Sequence, residues 1–181
     1  MKKTLIALGL AAAASTAHAL PDTGTILFTG KVTGNTCSIE IVDPSNGAIL
    51  NPITLPDGDA SKLTGAVGNE SGALRFGISI TAGASCDPTG MKGVVSFSGI
   101  DGPAGTGDTL HALHAGSAAG VALAIKDENR TIIPWGAESK EYDLADTGKS
   151  TMVFYANLRA TAATVSAGPV NATVPFVFDL K

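Results

Sequence analysis

Two histidines, His111 and His114, stand in the run His-Ala-Leu-His, with Asp108 three residues before the first. Imidazole and carboxylate can ligate a metal or move a proton, so this is the first place to look for chemistry. The run lies in Gly99 to Gly120, a glycine- and alanine-rich stretch that reads as a long loop, where two histidines are ordinarily solvated. Cys37 and Cys86 are the two cysteines. In an exported chain their default is one disulfide; a metal pair or a reactive thiol are the alternatives, and a metal would want histidine or cysteine partners that neither has nearby. Asp57 and Asp59 lie in turn sequence and read as solvated, and Gly102 to Gly107 lacks the Lys-Ser/Thr that follows a phosphate loop. Trp135 could stack on a sugar, but beside Ile132 and Ile133 it reads as core or rim. No nucleophile–base pairing is legible, so an enzyme is the least supported class, and neither a metal nor another cofactor is implied.

The chain opens with Met1-Lys2-Lys3, an apolar run from Leu5 to Ala14, and Ala17-His18-Ala19. A basic start, a short apolar stretch and small residues at a cleavage motif read as a secretory signal peptide over residues 1–19, cut after Ala19. The apolar run is too short to span a bilayer, and no later stretch is long enough. Cleavage leaves 162 residues, a natural length for one domain. Losing Lys2 and Lys3 leaves ten basic against sixteen acidic residues, a net charge of −6. The basic residues are scattered singly, which argues against a nucleic-acid partner.

The elements around these residues alternate. From Gly168 to Lys181, Val170, Ala172, Val174, Phe176, Phe178 and Leu180 are all apolar and all even-numbered, with Val177 the one large aliphatic exception. Period two over this length predicts a strand with one buried face. Pro175 within it predicts an edge or a bulge. A long apolar edge offers unpaired N–H and C=O groups to another chain. Alternation recurs at Ile26, Phe28 and Val32, at Leu74, Phe76, Ile78 and Ile80, at Val94 to Ser98, at Val121, Leu123 and Ile125, and at Met152, Phe154, Ala156 and Leu158. Shorter strands are expected around Pro52, between Ala48 and Leu55, at Tyr142 and Leu144, and in a hairpin return over Thr131 to Trp135. Pro56 to Ser71 reads as a loop with one helical turn. Many short strands with turn residues between them predict an antiparallel all-β sandwich.

Several of these residues resemble one family. Phe28-Thr29-Gly30-Lys31-Val32, with Cys37 five residues on, is similar to the start of chaperone–usher fimbrial subunits of the type 1-like major pilin kind. Cys86 at the end of an alternating strand and Val121-Ala122-Leu123-Ala124-Ile125-Lys126-Asp127 fit the same pattern. So does Gly168, fourteen residues from the end, followed by alternating apolar residues; the family's usual penultimate tyrosine is here Leu180. The resemblance implies an incomplete immunoglobulin-like β-sandwich that lacks its final strand. A donor strand from a periplasmic chaperone, and then from a neighbouring subunit at the outer-membrane usher, would complete it by strand addition. It implies an N-terminal donor-strand extension over residues 20–29, with Gly24, Ile26 and Phe28 facing a neighbour's groove and Leu20 and Asp22 further out, and a pilin domain over 30–181. Gly168, Val170, Ala172, Val174, Phe176, Phe178 and Leu180 would form the acceptor and chaperone-binding strand.

The expectation is a structural subunit exported through the periplasm that polymerises head-to-tail into surface fimbriae used in adhesion. A contact of this kind does not close on itself and so builds a filament. The alternative is a complete, monomeric, secreted immunoglobulin-like binding module. A two-domain tip adhesin would need a lectin domain for which the chain has no room. Shaft and adaptor subunits are not separated by these residues.

Overall fold

The longest alternating runs fold as two thirteen-residue strands that pair along most of their length. In the computed structural model, which describes residues 24–27 and 37–181, the strands are β1 (Gly24–Leu27), β2 (Ser38–Val42), β3 (Ile53–Leu55), β4 (Glu70–Ala82), β5 (Lys92–Phe97), β6 (Pro103–Ala104), β7 (Leu110–His111), β8 (Val121–Lys126), β9 (Tyr142–Asp143), β10 (Gly148–Ala160), β11 (Val170–Thr173) and β12 (Phe176–Leu180). One helical turn, α1 (Ala60–Leu63), starts at Asp59, whose carboxylate accepts the Ser61 backbone N–H and so satisfies one orphan donor of the turn.

β4 and β10 sit at the centre of a six-stranded sheet with the order β2-β4-β10-β8-β7-β6. Their antiparallel register places Phe154 opposite Phe76 and Met152 opposite Ile78, so the even-numbered apolar residues of both share one face. A register shift between Ala156 and Leu158 bends β10. Two three-stranded groups, β11-β1-β3 and β12-β5-β9, form the opposing layer. They are continuous through residues 170–180: the pairing of β12 with β5 extends past Pro175, where Ser98 N–H donates to Pro175 O and Ile100 N–H to Thr173 O. Phe76 and Phe154 meet Phe97 between the layers, with ring centroids 5.2 Å apart for Phe97 and Phe154. All three rings are fully buried. The antiparallel sandwich is therefore as expected, apart from one parallel pair, β1 with β11.

Several expectations are corrected. The alternating terminal run is two strands, β11 and β12, in two groups, and the break falls at Val174-Pro175. The strand expected between Ala48 and Leu55 shrinks to β3, and the return over Thr131 to Trp135 is a single bridge, Lys126 with Ile132. The Gly99–Gly120 loop contains β6, β7 and a turn of 3-10 helix. His111, expected to be solvated, is completely buried, and His114 is about one-third exposed with partners on both ring nitrogens. Phe28, Val32 and the expected extension boundary at residues 29–30 lie outside the described residues, as do the signal peptide, Leu20 and Asp22.

Candidate functional site

The cysteines form a disulfide, Cys37–Cys86, that ties the residue before β2 to the turn after β4. Of the remaining candidates, Gly24 and Ile26 meet Val170 and Ala172 at a slot in the smaller layer, between β3 on one side and β11 on the other, while Phe176, Phe178 and Leu180 continue the strand in β12. β1 lies in this slot. It runs parallel to β11, with Gly24 opposite Val170, Ile26 opposite Ala172 and Leu27 opposite Thr173. It runs antiparallel to β3, with Gly24 opposite Leu55 and Ile26 opposite Ile53. Gly24 and Ile26, expected to face a neighbour's groove, are thus paired within their own chain.

The C-terminal residues expected to line the slot share its inner face. Val170, Ala172, Val174, Phe176 and Phe178 are buried and Leu180 is half-buried, while Asn171, Val177 and Asp179 are exposed. Gly168 sits at a close approach: a Cβ there would lie a tight 3.3 Å from Ala118 Cα and backbone N. Beside Gly168 and Val170 the slot ends in a cavity of about 70 Å³ whose lining includes Leu55, Leu63, Val121, Leu158 and Val165.

The two edges of this strand differ. Residues 98–118 form a strap along the odd-numbered edge. Ala118 N–H donates to Pro169 O, His114 N–H to Asn171 O, Ile100 N–H to Thr173 O and Ser98 N–H to Pro175 O. A residue's N–H and C=O point to the same side of a strand, so the even-numbered groups point the other way, into the slot. Pro169 and Pro175 both fall on the strap side. Their missing donors therefore cost the slot nothing. Pro175 marks the junction of β11 and β12, and the slot edge keeps an N–H at every even position from Val170 to Leu180.

His111 holds the root of the strap. Its Nδ1 accepts the Gly99 N–H at 3.2 Å, which leaves the proton on Nε2, a buried atom with no partner among the described residues. Burial pushes its imidazole down to about 4, because the charged ring would lose its hydration. The folded chain refuses a proton that the unfolded chain takes near 6.5. Stability from this site is therefore complete above about pH 6.5, declines as pH falls to about 4, and loses roughly 3 kcal/mol across that window. Urea unfolding at pH 7 and pH 4.5 checks this; His111→Gln should show a flatter dependence over the same range.

His114 completes a chain of contacts that the sequence reading missed. Its Nδ1 lies 2.5 Å from Asp101 Oδ2, and its Nε2 lies 3.0 Å from Thr173 Oγ1. These three residues come from two parts of the chain far apart in sequence, and no local spacing signals them. No cluster of three or more metal-ligating side chains occurs among the described residues. Trp135, expected at core or rim, lies at the rim with its indole N–H on Gly99 O.

Residues 26–181 match the fimbrial protein family. The chain is 33% identical over 180 residues to the probable major fimbrial subunit LpfA of Escherichia coli O157:H7, covering 97% of this chain and 95% of that one. Among solved structures it is similar to the antigen and type I fimbria protein of Burkholderia pseudomallei, at 31% identity and a TM-score of 0.55, covering 88% of this chain and 93% of that one. The P pilus rod subunit PapA, at 21% identity and a TM-score of 0.56 over 80% of this chain and 99% of that one, shares the fold. A sandwich of this topology with a slot beside its last strands is the incomplete immunoglobulin-like fold of pilus subunits. The chain belongs to the fimbrial protein family and is a structural fimbrial subunit, not an enzyme.

Proposed function

We propose that this subunit polymerises head-to-tail by donor-strand exchange: the segment from Leu20 to Phe28 of one copy fills the slot between β3 and β11 of the next. The observation behind this reading is the slot itself. Its acceptor edge belongs to the C-terminal strand, and the strand that fills it comes from the opposite end of the chain, in parallel sense and over only four residues. β1 pairs over only four residues, so a nine-residue donor that runs further along the even-numbered edge of residues 170–180 makes more ladder bonds and can displace it. The cavity beside Gly168 and Val170 leaves room for one further donor side chain at that end. A periplasmic chaperone would cap the slot before assembly at an outer-membrane usher, and the finished fibre would stand on the cell surface.

A second reading is favoured by one observation. β1 already pairs on both sides within its own chain, as a closed monomeric binding module would require. Size separates the two. Gel filtration and an unheated denaturing gel should show a one-to-one complex with the chaperone, and a detergent-resistant ladder without it. Deleting Leu20 to Phe28 should abolish the ladder and leave the chaperone complex intact. A reversible monomer that neither ladders nor binds the chaperone would establish the closed module instead.

A further inference from the structure

We propose that His114, oriented by Asp101, is a positioning residue that pins Thr173 and so sets β11 for its donor strand. This rests on the strand-exchange reading. β11 has β1 on one edge. Among the described residues its other edge has no regular partner strand; the strap, an irregular segment, bonds it through Ser117, His114 and Ile100. Irregular segments with few ladder bonds open more readily than sheet interiors. When β1 leaves the slot, the strap is all that keeps β11 extended at this end.

The side-chain relay reinforces that contact at its centre. Asp101 Oδ2 faces His114 Nδ1 and holds a proton there, and Nε2 on the other side of the ring shares a hydrogen bond with the Thr173 hydroxyl. Asp101 and His114 come from opposite limbs of the strap, and Thr173 is the last residue of β11. The relay therefore staples the two limbs to each other and to the acceptor strand. The His114 backbone N–H bonds Asn171 O at 2.8 Å, and Ser117 Oγ accepts the Asn171 N–H, so side chain and backbone hold the same three-residue stretch, Asn171 to Thr173. A strand already held in its bound conformation costs a donor less ordering on arrival. Asp101, His114 and Thr173 resemble an acid–base–nucleophile series. However, Thr173 stands on the outer face of its strand and does not line the cavity beside Gly168 and Val170. A holding role fits this setting.

The test uses the full chain and a fluorescent peptide of the sequence Leu20–Phe28, added in excess so that it competes with β1. Uptake and retention are measured for the wild type and for Thr173→Val, Thr173→Ser and Asp101→Asn. Thr173→Val removes the hydroxyl while keeping the shape, and should shorten peptide retention roughly fivefold, as for loss of one net hydrogen bond. Asp101→Asn should act in the same direction, and Thr173→Ser should keep most of the retention. Nitrogen-15 spectra of the His114 ring should show a protonated Nδ1 and a hydrogen-bonded Nε2, with the Nε2 signal moving in Thr173→Val. If valine and serine are equally impaired, or if neither Thr173→Val nor Asp101→Asn differs from a wild type that does take up peptide, the relay has no positioning role. A wild type that takes up no peptide overturns the strand-exchange reading, and this inference with it.

Discussion

Replacing Cys37 and Cys86 together by serine is expected to lower stability by about 4 kcal/mol, because the bridge closes a loop across 49 residues of sequence. Both sulfurs are buried. The bridge repeats in covalent form the pairing of β2 with β4, since β2 is the edge strand of its sheet among the described residues and its other backbone contact there is a short bridge from Val42 to Ile49. A domain of this size commonly has only 5–15 kcal/mol in hand, so the loss removes a large fraction of it. Urea unfolding of the oxidised protein and the double variant measures the difference. A loss below about 1 kcal/mol would mean that Ile39, Ile41 and Val42 dock β2 by packing alone.

Phe154→Ala should cost as much from a different cause. The ring is fully buried at the centre of β10, stacked on Phe76 at 5.6 Å, edge-on to Phe97 at 5.2 Å and tilted against Tyr142 at 5.3 Å. Phe76 comes from its own sheet; Phe97 and Tyr142 come from the opposing one. Truncation therefore removes the contact that joins the layers and leaves a cavity among stiff aromatic neighbours, at a cost of about 4 kcal/mol. Phe97 is also the ring against which Phe176 packs, so the loss reaches the floor of the acceptor strand. Val177→Ala, on the exposed face of β12, should stay within about 0.5 kcal/mol in the same chemical-denaturation series. A Phe154→Ala loss near that of Val177→Ala would show that the layers are not held together at this ring.

The elements with a strict two-residue period were legible from the sequence. Leu74 to Ile80 and Met152 to Leu158 mark β4 and β10, and Val170 to Leu180 marks the inner face of β11 and β12. What escaped was everything settled by tertiary contact. Periodicity reports which side is buried but not which strand lies alongside, so it passes unbroken through Val174 and Pro175 although the pairing changes there. His111 looked solvated because it lies in a glycine- and alanine-rich stretch; the fold instead pairs it with β8, where it stands opposite Leu123. The Asp101–His114–Thr173 relay joins residues that only folding brings together. The need for a partner strand was legible in an apolar edge, whereas the slot itself was implied only by the family resemblance. Which strand would fill it within one chain, and in which sense, is set by where residue 24 falls relative to residues 55 and 170, a distance no local pattern encodes.

The placement of Pro169 and Pro175 on the strap edge has a consequence for assembly order. A strand with two open, fully competent edges could recruit two neighbours, and a polymer of such units would branch or sheet into plaques. Here one edge is already taken by the strap and β5, and lacks donors at two of its positions; the other edge keeps them all. On the strand-exchange reading, each subunit has an acceptor valence of one at this site, and one donor segment per chain confines growth to a single unbranched thread.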